Sequence, residues 1–143
     1  MRTHIIGIYI VILSGLLSSC GNPNQKSTAT GPRKIEILFL GHASEHHNSA
    51  LFMPMLSSVL SKEGINFTYN DDPSVLNEET LSNYDGLMIY ANHETITPEQ
   101  EAALMNFVAD GKGFIPVHCA SFCFQNSPKY IGLVGGQFMK HDT

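Results

Sequence analysis

The 143-residue sequence has no tryptophan, few cysteines and few charged residues, and these shortages exclude several classes of protein. Its 8 Lys and Arg residues form no cluster and are outnumbered by 13 Asp and Glu residues, so we do not expect it to bind nucleic acid. Three cysteines are too few for a disulfide framework. A composition that is 43% hydrophobic and 15% charged is ordinary for a globular protein, and the length allows one domain.

Long hydrophobic runs are also missing. The apolar run from Ile5 to Leu17 is 13 residues long, too short for a membrane-spanning helix, and it follows the positive charge of Arg2 as in a signal peptide. The sequence Leu17-Ser18-Ser19-Cys20 resembles the lipobox of bacterial lipoproteins, in which the cysteine is lipidated. We therefore expect residues 1–20 to be a lipoprotein signal peptide and Cys20 to anchor the protein in the bacterial cell envelope, facing the periplasm or the cell surface. An ordinary secretory signal or an uncleaved anchor is the alternative.

Residues 21–33 are rich in Asn, Ser, Thr, Pro and Gly and have almost no apolar side chain, so they are predicted to form a flexible tether. The folded domain is then residues 34–143. If Cys20 carries lipid, Cys119 and Cys123 remain. We expect both to be free thiols, because cysteines four residues apart are rarely bridged.

Four apolar segments of strand length alternate with helical patterns in this domain. The strands are predicted at 34–40, 65–69, 84–90 and 113–117, and the helices at 49–63, about 74–81, and 97–110. The last helix has the start of a capping box, with Thr97 as its N-cap and Gln100 three residues later. Continuous apolar runs are typical of parallel strands that are covered on both faces. The pattern predicts a three-layer α/β fold of the flavodoxin-like type, with a parallel sheet in strand order 2-1-3-4.

The chain after Ser121 is aromatic and is predicted to be loop-like. It passes through the glycine-rich stretch around Gly135-Gly136 and reaches Thr143 without another strand. A sheet that stops here would leave one edge uncovered. We therefore expect the domain to be incomplete at its C-terminus.

Five histidines follow the ends of three strands that are neighbours in this order. His42, His46 and His47 follow the first strand, His93 follows the third, and His118 follows the fourth. The carboxyl ends of parallel strands lie at one edge of the sheet, where α/β folds keep their ligands. Imidazoles there can act as acid/base groups near neutral pH or as metal ligands. We predict a functional site centred on His118, with His47 and His93 as further catalytic candidates.

The histidine pattern leaves two details open. His46 and His47 are adjacent, so we expect only one of them to face the site. A divalent metal is an alternative to metal-free acid/base chemistry, with His42, His47 and His118 as ligands, although no motif fixes its geometry. Further ligands could come from Glu45, Glu94 and His141.

Cys119 allows another interpretation, in which a thiol at the strand-to-helix corner is the nucleophile. A nucleophile elbow needs small residues around the nucleophile, as in G-x-C-x-G. Val117 and Ser121 occupy the two glycine positions here, and the bulky His118 precedes the cysteine. The pattern therefore favours Cys119 as a small buried side chain.

Several motifs together resemble the ThuA-like, or trehalose-utilisation, family from Lys34 to the end of the sequence. They are Thr97-Pro98-Glu99-Gln100, Gly111-Lys112-Gly113, Val117-His118-Cys119-Ala120-Ser121 and Leu133-Val134-Gly135-Gly136-Gln137-Phe138. The resemblance implies a class I glutamine amidotransferase-like fold, related to flavodoxin, in which many members lack the amidotransferase triad. It also implies carbohydrate utilisation, with breakdown of disaccharides through 3-keto-sugar intermediates. Secreted, lipid-anchored versions occur in this family.

The resemblance also suggests roles for particular residues. His118 matches the family's strand-end histidine, and His47 and His141 match histidines after the first strand and after the Gly-Gly-x-Phe motif. Phe122, Tyr130 and His141 are candidate substrate contacts, although the two aromatic residues could equally be plain core. The family's later strands, with a His-Pro segment, are absent from this sequence.

Three functions follow from the resemblance and the residues. The chain is predicted to act on or bind a disaccharide or a 3-keto-sugar, as a hydrolase or lyase. The alternatives are a noncatalytic, lipid-anchored carbohydrate-binding domain and a Cys119-dependent amidotransferase-like hydrolase. The partner is a small carbohydrate in each of the first two, and the only cofactor considered is a divalent metal.

Overall fold

The computed structural model describes residues 32–42, 44 and 46–140. Several predictions fall outside the described residues. They concern the signal peptide with Cys20, most of the tether, Glu45 and His141. The chain divides into two units between residues 31 and 32, and every described residue belongs to the second unit. Within the described residues, no helix has the length and apolar character needed to cross a membrane.

Four parallel strands form a single sheet, and their order confirms the predicted 2-1-3-4 arrangement. Each strand was expected from an apolar run, and each begins and ends within two residues of its predicted position. Parallel pairing places all four carboxyl ends at the same edge of the sheet. The strands are β1 (Ile35–Leu40), β2 (Ile65–Asn70), β3 (Gly86–Ile89) and β4 (Gly113–Pro116).

The helices follow the strands as in other doubly wound α/β folds. They are α1 (Ser49–Leu60), α2 (Glu78–Leu81), α3 (Pro98–Ala109) and α4 (Pro128–Val134). Short 3₁₀ segments lie at Ser61–Glu63, Pro73–Val75 and His118–Phe122. The single helix predicted at about 74–81 is wrong, because the chain forms a 3₁₀ turn there, followed by the one-turn α2.

Helix α3 begins with the predicted capping box. Thr97 Oγ1 accepts a hydrogen bond from the Gln100 backbone N–H, and Gln100 Oε1 accepts one from the Thr97 backbone N–H. The Gln100 side chain also donates to the Pro73 carbonyl at 3.0 Å. The capping box therefore fixes the start of α3, and the Gln100 side chain joins it to the preceding 3₁₀ turn.

Helix α4 replaces the loop that was predicted after Ser121. Its start is marked by Ser127, whose hydroxyl accepts from the Tyr130 N–H, and by Pro128 at the first helical position. It ends at Gly135, which has a left-handed backbone with φ of 90°. The prediction was wrong because only seven residues separate these cap signals and Gly132 lies among them.

The main core lies between the sheet and helices α2, α3 and α4. It is built from inward-facing side chains of β1 and β3 and from the apolar faces of the three helices, including Leu38, Leu40, Leu87, Ile89, Leu76, Leu81, Leu104, Phe107 and Tyr130. The other face of β1 is buried as well, where Phe39 packs edge-on against Phe67 and Tyr69 under α1. The prediction of strands covered on both faces is therefore confirmed for β1.

Burial is less complete at α1 and β4. The predicted apolar face of α1 is only partly covered, since Met55 and Val59 are 59% and 58% exposed. Ile115 of β4 is 39% exposed, so the second face of the sheet is open at this strand. Among the described residues β4 pairs with β3 alone, which gives the sheet the open edge expected from the sequence.

The opposite, amino edge of the sheet is held by Asp85. Its carboxylate accepts hydrogen bonds from the Arg33 guanidinium and from the Glu36 backbone N–H, the latter at 2.9 Å. Lys112 lies 4.0 Å from the same carboxylate and donates to the Tyr84 carbonyl at 2.9 Å. The chain therefore enters the domain at a defined point beside the start of β1.

Candidate functional site

Two histidines from separate strand ends form a direct pair at the carboxyl edge of the sheet. Nε2 of His118 lies 3.0 Å from Nδ1 of His47, and their rings are 4.5 Å apart between centroids. One nitrogen of this contact must carry the hydrogen and the other must accept it. The sequence predicted both residues at this edge, and the structure brings them into contact.

Both members of the pair have an unusual backbone. The φ angle is 63° at His47 and 49° at His118, in the left-handed region that residues other than glycine adopt rarely. His118 begins the 3₁₀ turn that leaves β4, so the left-handed conformation turns its ring out of the strand direction. Such conformations persist where surrounding contacts hold them, and they are concentrated at functional sites.

His42 holds the loop that carries His47. Its Nε2 donates to the His47 carbonyl at 3.0 Å, because a carbonyl oxygen can only accept. The Ser49 hydroxyl accepts from the His42 N–H at 2.8 Å and donates to the His42 carbonyl at 3.0 Å. A Cβ on Gly41 would lie 2.4 Å from both Ser49 Oγ and the Tyr69 ring, so only glycine fits there.

Burial also sets the charge state of His42. The side chain is only 7% exposed, and loss of hydration lowers its pKa from the usual value near 6.5. The hydrogen bond to the His47 carbonyl opposes this shift, whereas the nearby rings of His93 and His47 add to it. His42 is therefore neutral at neutral pH.

His93 lies beside His42 and also supports the loop. Its Nε2 donates to the Gly41 carbonyl at 3.1 Å, and its ring packs edge-on against that of His42. The His93 carbonyl accepts from the Phe124 N–H at 2.7 Å. These bonds connect three segments behind the site, and this placement favours support over the catalytic role predicted for His93.

The His47–His118 pair opens into a cleft of about 660 Å³. Its described lining combines three imidazoles, one thiol, two neutral polar side chains and two phenyl rings, and contains no Lys, Arg, Asp or Glu. The rings of Phe122 and Phe138 are 6.3 Å apart and form one wall. The lining residues are His46, His47, Asn92, His118, Cys119, Ser121, Phe122 and Phe138.

Of the two aromatic residues predicted as substrate contacts, Phe122 lies in this lining and Tyr130 does not. Tyr130 is 1% exposed, its ring packs on Phe124 with centroids 4.9 Å apart, and its hydroxyl donates to the Ala120 carbonyl at 3.0 Å. Burial raises its pKa above the usual value near 10, so the phenol keeps its proton. Tyr130 is a core residue, because α4 turns its ring toward the interior and not toward the cleft.

The expectation that only one of His46 and His47 faces the site is wrong. Both are exposed and both line the cleft. Neighbouring side chains alternate direction in an extended chain. The left-handed backbone at His47 breaks that alternation, so both rings can reach the same space.

Comparison with known proteins agrees with this fold. Residues 36–143 match the ThuA family, described as trehalose utilisation. This chain belongs to the ThuA family. A ThuA-like protein from Bacteroides uniformis ATCC 8492, known from a crystal structure, has a similar fold with a TM-score of 0.54 and 20% sequence identity. The similarity covers 81% of this chain and 48% of that one, so the chain spans about half the length of that protein. No curated protein matches the chain.

Cys119 does not have the position or the acidity of a nucleophile in this ThuA-family chain. The strained strand-to-helix corner, where an elbow holds its nucleophile, is occupied by His118. Burial raises the pKa of the Cys119 thiol, which disfavours the thiolate. Cys123 donates to the Ala91 carbonyl, and burial raises its pKa to about 12. Both cysteines are free thiols, as predicted.

The predicted metal ligands do not converge. Nε2 of His42 donates to the His47 carbonyl, and the facing nitrogens of His47 and His118 are hydrogen-bonded to each other. Within residues 32–42, 44 and 46–140, no three His, Cys, Asp or Glu side chains are grouped as metal ligands. The triad of His42, His47 and His118 is therefore not formed.

Several residues in or beside the cleft were not predicted from the sequence. Asn92 follows the end of β3 and lines the cleft beside the histidines. Tyr90 packs edge-on against His118 and is stacked on Phe52 of α1. The third predicted strand is followed directly by polar residues, and that pattern could have indicated Asn92. No such pattern marks Ser121 and Phe138, because only the folded chain brings them together at the cleft.

Proposed function

We propose that this protein binds a small, uncharged carbohydrate of the disaccharide or 3-keto-sugar class in the histidine cleft and acts on it with the His47–His118 pair. The observation that supports the proposal most is the 3.0 Å contact between two exposed imidazoles in a cleft with no charged group among its described residues. Sugars need convergent neutral donors and acceptors beside an apolar surface. Asn92, Ser121 and the phenyl rings of Phe122 and Phe138 would supply them.

The imidazole pair suits proton transfer beside a keto group. One ring would accept a proton from the carbon next to the carbonyl and pass its own proton across the mutual hydrogen bond to its partner, which would donate one to an oxygen of the sugar, so both rings end neutral. Such general acid/base catalysis contributes a factor of about 10² to 10⁴ in rate. Each ring uses one nitrogen in the mutual hydrogen bond, which leaves the other nitrogen of each ring for the substrate.

The two other functions predict different measurements. A noncatalytic binding domain would bind the sugar at the same cleft without turnover. A Cys119-dependent hydrolase would need a thiolate, and the raised Cys119 pKa and the placement of His118 at the corner both oppose it.

The test compares His118→Ala with Cys119→Ser in the purified protein, using trehalose and a 3-keto-disaccharide as probes. Binding would be measured by calorimetry and turnover by NMR of the sugar. We expect His118→Ala to reduce turnover at least about 100-fold and Cys119→Ser to leave most of it. Both residues line the cleft, so Cys119→Ser is the matched control.

The outcomes separate the three functions. Binding without turnover in the unmodified protein would establish the noncatalytic domain. Turnover that survives His118→Ala but disappears in Cys119→Ser would restore the thiol as nucleophile. Absence of binding to either probe would refute the carbohydrate proposal.

We also propose that Cys20 is lipidated and holds the protein to the cell envelope. Support comes from Leu17-Ser18-Ser19-Cys20 and the short apolar run before it, all outside the described residues. More than one acyl chain gives stable attachment. Cys20→Ala should move the protein to the soluble fraction, whereas Cys119→Ala should leave it with the membranes. A Cys20→Ala protein that stays membrane-bound would show that another segment is the anchor.

A further inference from the structure

We propose that His42 is a positioning residue, which holds His47 in its left-handed conformation so that the His47 ring meets His118. The proposal rests on the proposed function only for its effect on the sugar, because the geometry can be measured without a ligand. His42 is not a catalytic residue in this account, since its side chain is almost fully buried and does not line the cleft.

His47 has a backbone conformation that its surroundings must hold. Its φ of 63° is rarely adopted by a residue with a side chain, and such a conformation persists only where contacts support it. His42 Nε2 donates to the His47 carbonyl at 3.0 Å, and the Ser44 hydroxyl donates to the His46 carbonyl, so the peptide groups on both sides of His47 are held. Of these two donors, only His42 is buried.

The backbone and surroundings of His42 are themselves held in place. Ser49, at the start of α1, bonds both the N–H and the carbonyl of His42, and the absence of a side chain at Gly41 allows this close approach. His93 fixes the Gly41 carbonyl from the next strand end at 3.1 Å. The donor in the bond to His47 is therefore held by two other parts of the fold.

His42 also lies close to the cleft. Its bond to the His47 carbonyl fixes a hydrogen on Nε2. Asn92, which lines the cleft, directly precedes His93, whose ring packs edge-on against that of His42. His42 therefore lies behind the cleft and bonds the backbone of His47.

The experiment removes the donor without removing the bulk. His42→Leu leaves the His47 carbonyl without its partner, whereas His42→Gln retains an amide N–H near the position of Nε2. Protein labelled with ¹⁵N in its histidines would report the hydrogen bonding of the His118 ring by NMR, with His47→Ala as the reference for the unpaired ring. Urea unfolding would be measured on each variant to separate positioning from stability.

We expect the His118 nitrogen signals of His42→Leu to move to the values of His47→Ala, and those of His42→Gln to stay near the original values. Sugar binding should weaken about three- to tenfold in His42→Leu and recover in His42→Gln. If His42→Leu does not fold, His42→Asn, whose amide is too short to reach the carbonyl, replaces it. His118 signals that remain unchanged in the folded variant lacking the bond would overturn the proposal. Because the NMR result needs no sugar, failure of the carbohydrate proposal would be seen separately, as absence of binding in the unmodified protein.

Discussion

Replacing Tyr130 with phenylalanine tests whether this residue belongs to the core or to the ligand site. The substitution removes one hydroxyl and keeps the ring, which packs on Phe124 and Phe114 with centroids 4.9 and 6.2 Å away. What is lost is the 3.0 Å hydrogen bond to the Ala120 carbonyl. Ala120 is 1% exposed and belongs to the 3₁₀ turn that begins at His118, so water cannot replace the lost donor.

The expected cost follows from this geometry. A neutral hydrogen bond contributes a net of about 1 kcal/mol, and the Ala120 carbonyl keeps a second bond from the Cys123 N–H at 3.1 Å. Because the ring stays and the acceptor is not left without a partner, we expect Tyr130→Phe to lower the free energy of unfolding by about 1 kcal/mol. Tyr130→Ala would also lose the ring and should cost about 3 to 5 kcal/mol.

The assay is urea unfolding, followed by calorimetric measurement of sugar binding on the folded protein. Tyr69→Phe is the matched control, since its hydroxyl lies 3.4 Å from Ser49 Oγ, which is long for such a bond, and its loss should cost less than about 0.5 kcal/mol. Sugar affinity should be unchanged in Tyr130→Phe. Unchanged stability together with weaker sugar binding would refute the assignment of Tyr130 to the core.

Three further predictions concern other parts of the fold. The pKa of His42 is lowered in the folded state, so the unfolded chain takes up its proton first as the pH falls below about 6.5, and stability is lost in that range. The free energy of unfolding should therefore decrease less between pH 7 and pH 5 in His42→Gln than in the unmodified protein. An equal decrease would contradict the assignment of His42 as a buried, neutral imidazole. Burial raises the pKa of the Cys119 and Cys123 thiols, so iodoacetamide should modify both slowly in the native protein at pH 7. Cys119 should react before the fully buried Cys123, as mass spectrometry of the labelled peptides would show. Faster labelling of Cys123 would argue against its burial in the core. Thr97→Ala should lower the free energy of unfolding by about 1 kcal/mol, because α3 loses its cap. Urea unfolding would measure this change. A change near zero would mean that the capping box does not stabilise α3 in solution.

The strands could be predicted because each depends on a local signal, and their order followed from the flavodoxin-like fold that alternating strands and helices indicate. A buried parallel strand such as β1 must be apolar on both faces, which leaves a continuous run in the sequence. The same reasoning placed His47 and His118 at one edge of the sheet, because parallel strands share their carboxyl edge. The strong cap at Thr97 similarly marked α3.

The geometry within the site could not be predicted in the same way. The contact between His47 and His118 depends on two left-handed residues, and neither sequence position is a glycine that would have signalled such a conformation. The inward orientation of Tyr130 depends on α4, whose seven residues include Gly132 and gave too weak a helical pattern. The support that His42 gives to the loop comes from contacts with segments that are distant in sequence or separated by turns.

The bond between Arg33 and Asp85 lies far from the histidine cleft. It holds the start of β1 at the amino edge of the sheet, whereas the cleft opens at the carboxyl edge, about 20 Å away along the six residues of β1. The residues that secure the first strand are therefore separate from those that line the cleft. A substitution at Arg33 can change the stability of the domain without changing the contact between His47 and His118.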